Sequence, residues 1–153
     1  MTVHVRPTEA ELGAAVAEAA RSVLETMFFA EVEACAPLTA EQQQNMTGVA
    51  VQFDGGMRGE FLIGFDPRVA GVLASGFLGA DEADVSPAEV EQVLCETANM
   101  ICGAALSHIE AEDHMRLGTP GPADAASGFA SGGWLQEFFV TPDGNIVTGV
   151  RLG

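Results

Sequence analysis

The stretch Val90-Glu-Gln-Val-Leu-Cys-Glu-Thr-Ala-Asn-Met-Ile-Cys-Gly-Ala-Ala-Leu106 decides how this chain is read. At about 100° per residue, Val90, Val93, Leu94, Thr97, Ile101, Ala104 and Ala105 gather on one side, the apolar stripe of a helix that packs on a domain. Gln92, Glu96, Asn99 and Gly103 form the opposite stripe, related by steps of four, three and four. An acid and an amide therefore point outward together, with a side-chain-free position one turn further on. A polar outer face is the ordinary condition of an amphipathic helix. Gly and Asn are nevertheless poor choices for its exposed interior, because Gly costs about 0.5–1 kcal/mol relative to Ala and Asn competes with the backbone for hydrogen bonds. A polar pair beside a flat spot suits docking into another protein.

Outward from this helix, the chain reads as two similar halves, about 8–80 and 85–153. Ser86-Pro87-Ala88-Glu89 opens the second, with Ser at the cap, Pro at the first helical position and Glu three residues after the Ser. In the first, Leu12, Ala15, Val16, Ala19, Val23 and Met27 recur near 3.6 residues and predict a helix over 11–32. Each helix is followed by a hairpin. Thr47–Phe53 and Met57–Phe65 flank the Asp54-Gly55-Gly56 turn, and 134–140 with 145–152 flank Thr141-Pro142-Asp143-Gly144. A short helix over 67–78 closes the first half. In the second, 115–119 predicts a strand and 121–133 a flexible small-residue loop, whose Gly128-Phe-Ala-Ser-Gly-Gly133 lacks the Lys of a nucleotide loop. Locally, Glu25-Thr26 can be set against Glu96-Thr97, with Phe28 where Asn99 stands. The run Met27-Phe28-Phe29 then packs a core or a dimer interface. These elements predict an α+β domain: one mainly antiparallel sheet with two long helices packed on it, built as a two-half pseudo-repeat.

Glu96-x-x-Asn99, the run Asn99-Met-Ile-x-Gly103, and Pro122 after a further 22 residues from Asn99 resemble the CheC/CheX/FliY family. These are bacterial phosphatases acting on the phosphorylated chemotaxis response regulator. The family pattern is Asp or Ser, three residues, Glu, two residues, Asn, 22 residues, Pro. Glu96, Asn99 and Pro122 match it, whereas Gln92 stands at its first position. The resemblance is to the single-site CheX type more than to the two-site CheC type. It implies that Asn99 orients the attacking water inside the regulator's own active site and that Glu96 pairs with the regulator's active-site lysine. It implies further that the Mg²⁺ is supplied by the regulator, that the chain has no cofactor or metal of its own, and that it forms a homodimer. Gln92 and Gly103 extend the partner-binding stripe, and Pro122 is a structural marker. The chemistry suits these residue types. An aspartyl phosphate needs a water aligned with the bond to phosphorus more than it needs a protein nucleophile, and an amide carbonyl can accept a hydrogen bond from that water. The alternative is a non-catalytic signalling adaptor or flagellar-switch module on the same fold, which Gln92 keeps open. A third reading is a small-molecule or dimerising structural domain, with the Met27–Phe29 cluster as its surface.

Composition narrows the partners. With 153 residues, 48% hydrophobic and 18% charged, the chain suits one globular unit. A formal net charge of −16, from 22 acids against six arginines and no lysine, argues against nucleic acid and anionic membrane as partners. The absent lysine excludes Schiff-base chemistry. No apolar run reaches the roughly 18 residues of a membrane span and the N-terminus lacks a signal pattern, so a cytoplasmic location is expected. Cys35, Cys95 and Cys102 are odd in number, lack the spacing of zinc or redox motifs, and read as reduced filler. One rival cluster, His108 through His114, holds two histidines and three acids. Its spacing matches no standard metal site, and His108 falls toward the apolar face as a core histidine.

Overall fold

Capping and alternation set the elements. In this computed structural model, which describes residues 7–29, 31–109 and 115–153, the chain runs α1 (Glu9–Phe28), β1 (Glu33–Ala34), α2 (Ala40–Gln43), β2 (Thr47–Gly55), β3 (Gly59–Phe65), α3 (Pro67–Leu78), α4 (Pro87–His108), β4 (Met115–Leu117), β5 (Gly121–Asp124), α5 (Ala125–Ala130), β6 (Leu135–Thr141) and β7 (Gly144–Leu152). Thr8, Thr39 and Ser86 are extended residues whose hydroxyls accept from the N–H of Glu11, Gln42 and Glu89. The Glu11, Gln42 and Glu89 side chains accept in return from the cap N–H. These three capping boxes fix where α1, α2 and α4 begin.

The seven strands form one antiparallel sheet in the order β1-β6-β7-β3-β2-β4, with β5 also paired to β2. Every second residue of the central strands turns to one face. Val49, Val51, Phe53, Phe61, Ile63, Phe65, Ile146 and Val150 meet Leu12, Val16 and Leu24 of α1 and Leu94 and Ile101 of α4 in the main core. Burying one such side chain is worth about 1.5–3 kcal/mol. On the other face Leu62 and Val147 lie under Ala125 and Phe129 of α5 in a smaller cluster with Met46. The fold is thus the mixed helix and antiparallel sheet architecture that the two hairpins and two long helices predict.

The structure corrects three expectations. The segment over 121–133 is not a flexible loop. It forms β5 and α5, and Asp124 caps α5 by accepting from Ala126 N–H at 3.1 Å. Its small residues mark close packing: a Cβ at Gly128 would stand 2.6 Å from Leu62 Cδ2. Met27 and Phe29 are not core residues, being 53% and 91% exposed, and only Phe28 is half-buried. Helix α1 ends on Phe29 in the left-handed conformation with φ +52°, its N–H donating to Leu24 O, so the chain turns before Phe29 can reach the core. The third is the match of Glu25-Thr26 with Glu96-Thr97. Set cap to cap from Thr8 and Ser86, the buried Ala15, Val16, Ala19, Ala20 and Leu24 of α1 stand at the same steps as the buried Val93, Leu94, Thr97, Ala98 and Cys102 of α4. At those steps Glu18 and Arg21, rather than Glu25 and Phe28, stand level with Glu96 and Asn99.

Two substitutions separate local from tertiary stability. Ser86→Ala is expected to cost about 1 kcal/mol through the lost cap of α4, whereas Phe61→Ala, fully buried in the main core, should cost about 3–5 kcal/mol. Urea denaturation checks both, and a Ser86→Ala cost as large as that of Phe61→Ala would contradict the assignment.

Candidate functional site

Helix α4 rests on β2 and is held by two other helices, α1 and α3. Its buried arc is therefore wider than a single stripe. Ala98, Cys102 and Leu106 are buried along with Val93, Leu94, Thr97, Ile101 and Ala105, while Ala104 is exposed and Val90 is half-buried. Thr97, the polar member of this arc, has its hydroxyl satisfied by donating to Val93 O at 2.8 Å. With that arc fixed, the rest of the helix faces water.

Gln92, Glu96 and Asn99 are all exposed and Gly103 is half-exposed. From Gln92 to Gly103 the stripe runs roughly 16 Å at 1.5 Å per residue. Among the described residues no hydrogen bond or ion pair engages the side chains of Glu96 or Asn99. A carboxylate and an amide are thus held one turn apart on a rigid, tertiary-packed helix with their polar atoms unspent. Gly103 is not required by the chain's own packing, since a Cβ there would meet only Leu117 Cδ1 of β4 at 3.8 Å, an ordinary contact. Pro122 is exposed on β5, opposite Val49 of β2, and β5 in turn abuts α4. Leu117 flanks the stripe without any signal in the sequence, because β4 and α4 meet only through the fold.

Thiol chemistry is not on offer beside the stripe. Partial burial pushes the Cys95 thiol up, aided by the Glu91 and Glu96 carboxylates, and full burial raises that of Cys102 further. The cysteines are free thiols. His108 is exposed rather than packed in the core, because α4 ends there past the edge of its partners. With Glu11 and Glu18 it lines an open groove of about 580 Å³. The remainder of the His108–His114 cluster, residues 110–114, lies outside the described residues. Among the described residues no group of three His, Cys, Asp or Glu side chains is arranged to hold a metal. Another groove, of about 400 Å³, is lined by Asp54, Arg58, Glu60 and Arg151. Its charges are largely spent on one another: Arg151 binds Glu60 at 2.6 Å and stacks on Trp134 at 4.2 Å, and Arg116 binds Asp54 at 3.0 Å. Among the described residues no helix is long and apolar enough to cross a membrane.

The helix thus presents a Glu-x-x-Asn, free of hydrogen bonds and ion pairs among the described residues, on the convex outer face of a helix-on-antiparallel-sheet fold. The family model described as Chemotaxis phosphatase CheX matches residues 47–130, more than half of the chain, and the chain belongs to that family. Solved structures agree in fold. The chemotaxis protein CheX from Vibrio vulnificus is 19% identical with a TM-score of 0.78, over 97% of this chain and 100% of that one. The CheX of a Borrelia burgdorferi CheX–CheY–BeF3–Mg²⁺ complex is 20% identical with a TM-score of 0.71, over 96% and 99%. Thermotoga maritima FliY is 12% identical with a TM-score of 0.61, over 97% and 93%. No curated protein matches the chain.

Because Gly103 lies open, Gly103→Ala should leave the fold intact and stabilise α4 by about 0.5–1 kcal/mol. A thermal melt should show a rise of roughly 1–4 °C. A fall would mean that the chain itself needs the glycine.

Proposed function

We propose that this chain is a phosphatase that hydrolyses the aspartyl phosphate of a CheY-like response regulator, with the outward face of α4 inserted into the regulator's active site. The observation that carries this reading is the joint exposure of Glu96 and Asn99, neither engaged by a hydrogen bond or ion pair among the described residues. Membership of a family described as chemotaxis phosphatases, and a fold shared with a CheX found in complex with CheY, support it.

In this reading Asn99 is the catalytic residue. Its side-chain carbonyl accepts a hydrogen bond from a water placed in line with the phosphorus–oxygen bond of the acyl phosphate. The water oxygen bonds to phosphorus, the bond to the aspartyl oxygen breaks with its electron pair, and inorganic phosphate leaves with the water's proton. Glu96 anchors the helix by pairing with the regulator's lysine. Mg²⁺, bound by the regulator, neutralises charge on the phosphoryl oxygens. Gln92 and Gly103 complete the contact, Gly103 by letting the partner's backbone come close, and Pro122 keeps β5 as an edge strand beside α4, having no N–H to donate. The chain acts in the cytoplasm and as a homodimer, in keeping with the family resemblance, and its acidity steers it toward a basic partner surface. We further propose that residues 8–80 and 85–153 are pseudo-repeats, because the order β6-β7-β3-β2 is symmetric about the β3–β7 pair and the caps of α1 and α4 correspond.

The second reading, a non-catalytic adaptor on the same fold, is favoured by one observation, Gln92 at a position where the family pattern has Asp or Ser. Decay of a phosphorylated CheY-like regulator in Mg²⁺ separates the two. The intact protein should accelerate decay. Asn99→Ala should lower kcat by about 10²-fold or more with the fold retained, and Glu96→Ala should act chiefly by raising KM. Unchanged decay with a regulator that nevertheless binds would establish the adaptor.

A further inference from the structure

The C-terminal end of α1 meets the side of α3 at a groove of about 430 Å³ whose walls include Leu24, Phe28, Phe29, Val72, Leu73 and Pro142. Around it the chain leaves large apolar side chains in water: Phe29 is 91% exposed, Met27 53%, Phe77 47% and Leu78 41%. Phe28 and Phe77, with ring centroids 6.4 Å apart, join the two helix ends. Phe29 also holds the left-handed cap conformation, φ +52°, that glycine adopts without steric cost. An aromatic there strains the backbone and puts its ring in water, so folding of the isolated chain gains nothing from it.

Charge indicates what covers this surface. Helix α1 has no basic residue in its last turn, so its negative end opens on the groove unanswered. Glu31 is exposed in the groove's wall, and the exposed acids Asp81, Glu82 and Asp84 follow the end of α3 within six residues of Leu78. Two nearby cations are already committed, Arg21 to Glu25 at 3.8 Å and Arg68 to Asp143 at 3.5 Å. A second copy would set these acids against themselves, at a net charge of −16 for each chain. It would also bury too little: the four exposed side chains offer roughly 450 Å² at about 200 Å² each, against about 800 Å² per partner in a stable interface.

We propose that the groove between the end of α1 and the side of α3 docks a basic amphipathic helix of a partner protein. Its apolar anchors, one turn apart, enter between Phe29 and Val72, and its Lys or Arg side chains meet the negative end of α1, Glu31 and the acids that follow α3. The surface shares no residue with the Gln92–Gly103 stripe, so occupation here leaves that stripe uncovered.

The test is fluorescence anisotropy with a labelled synthetic Leu/Lys amphipathic helix of about 18 residues, long enough to stay helical when bound, and its Leu/Glu counterpart. The basic peptide should saturate the protein and the acidic one should not bind. Phe29→Gly and Phe77→Ser should each weaken binding by about tenfold or more, while the Tm of Phe29→Gly rises, which separates lost contact from lost fold. Three results would overturn the proposal. The basic peptide fails to bind; it binds both variants as tightly as the parent, which is adhesion to an acidic surface; or sedimentation equilibrium finds a dimer that Phe29→Gly dissociates, which makes the groove a self-interface.

Discussion

Covering one face of the central β2-β3-β7 sheet is the constraint on which the remaining structure depends. Val49, Val51, Phe53, Phe61, Ile63, Phe65, Ile146 and Val150 present a continuous apolar surface that water cannot be left to solvate, and the two longest helices cover it, α1 over β6 and β7 and α4 over β2. Once Leu94, Ile101 and Ala105 are committed to that surface, the orientation of α4 about its own axis is settled. Glu96 and Asn99 then have no side to occupy but the outer one. The presentation of the site is therefore a by-product of core packing, and the capping box at Ser86 and Glu89 fixes where along the sheet it falls.

The same arrangement explains how little chemistry the chain needs to carry. The Cys95 and Cys102 thiols are raised rather than lowered by their surroundings, the chain has no lysine, and charges of its polar groove pair with one another. A carboxylate and an amide on a convex helix cannot enclose a substrate or exclude water alone. They become useful when a partner supplies the concavity, the phosphoryl group and the metal. Under the proposed function, specificity then rests on whether a partner's cleft accepts the α4 ridge.

Much of this was legible in the sequence where local chemistry decides structure. The cap at Ser86-Pro87 and the Pro67 start gave helix limits that the structure keeps, and the turns around Gly55 and Gly144 gave both hairpins. The outward stripe from Gln92 to Gly103 followed from periodicity alone. What escaped depends on contacts between distant segments. The stretch 121–133 reads as a loop because its glycines and alanines look flexible, yet they are small because α5 lies against Leu62. Ala98 and Cys102 join the buried arc because both α1 and α3 pack on α4, which no helical wheel reveals. Met27 and Phe29 have core-type side chains, but Met27 lies on the exposed side of the last turn of α1 and Phe29 is its left-handed cap. The correspondence of Glu18 and Arg21 with Glu96 and Asn99 needed the caps and burial of both helices, because the matching Glu-Thr pairs point to another register.

The account stands or falls on whether the outer face of α4 is where the partner binds. The most direct measurement is an NMR titration of the side-chain amide signals of Gln92 and Asn99 with a phosphorylated CheY-like regulator in Mg²⁺. The account predicts that these two signals shift or broaden on addition of the regulator while those of Gln42 and Gln44, on and just after α2, stay in place. Movement confined to the α2 amides, or to none, with binding confirmed independently, would contradict it.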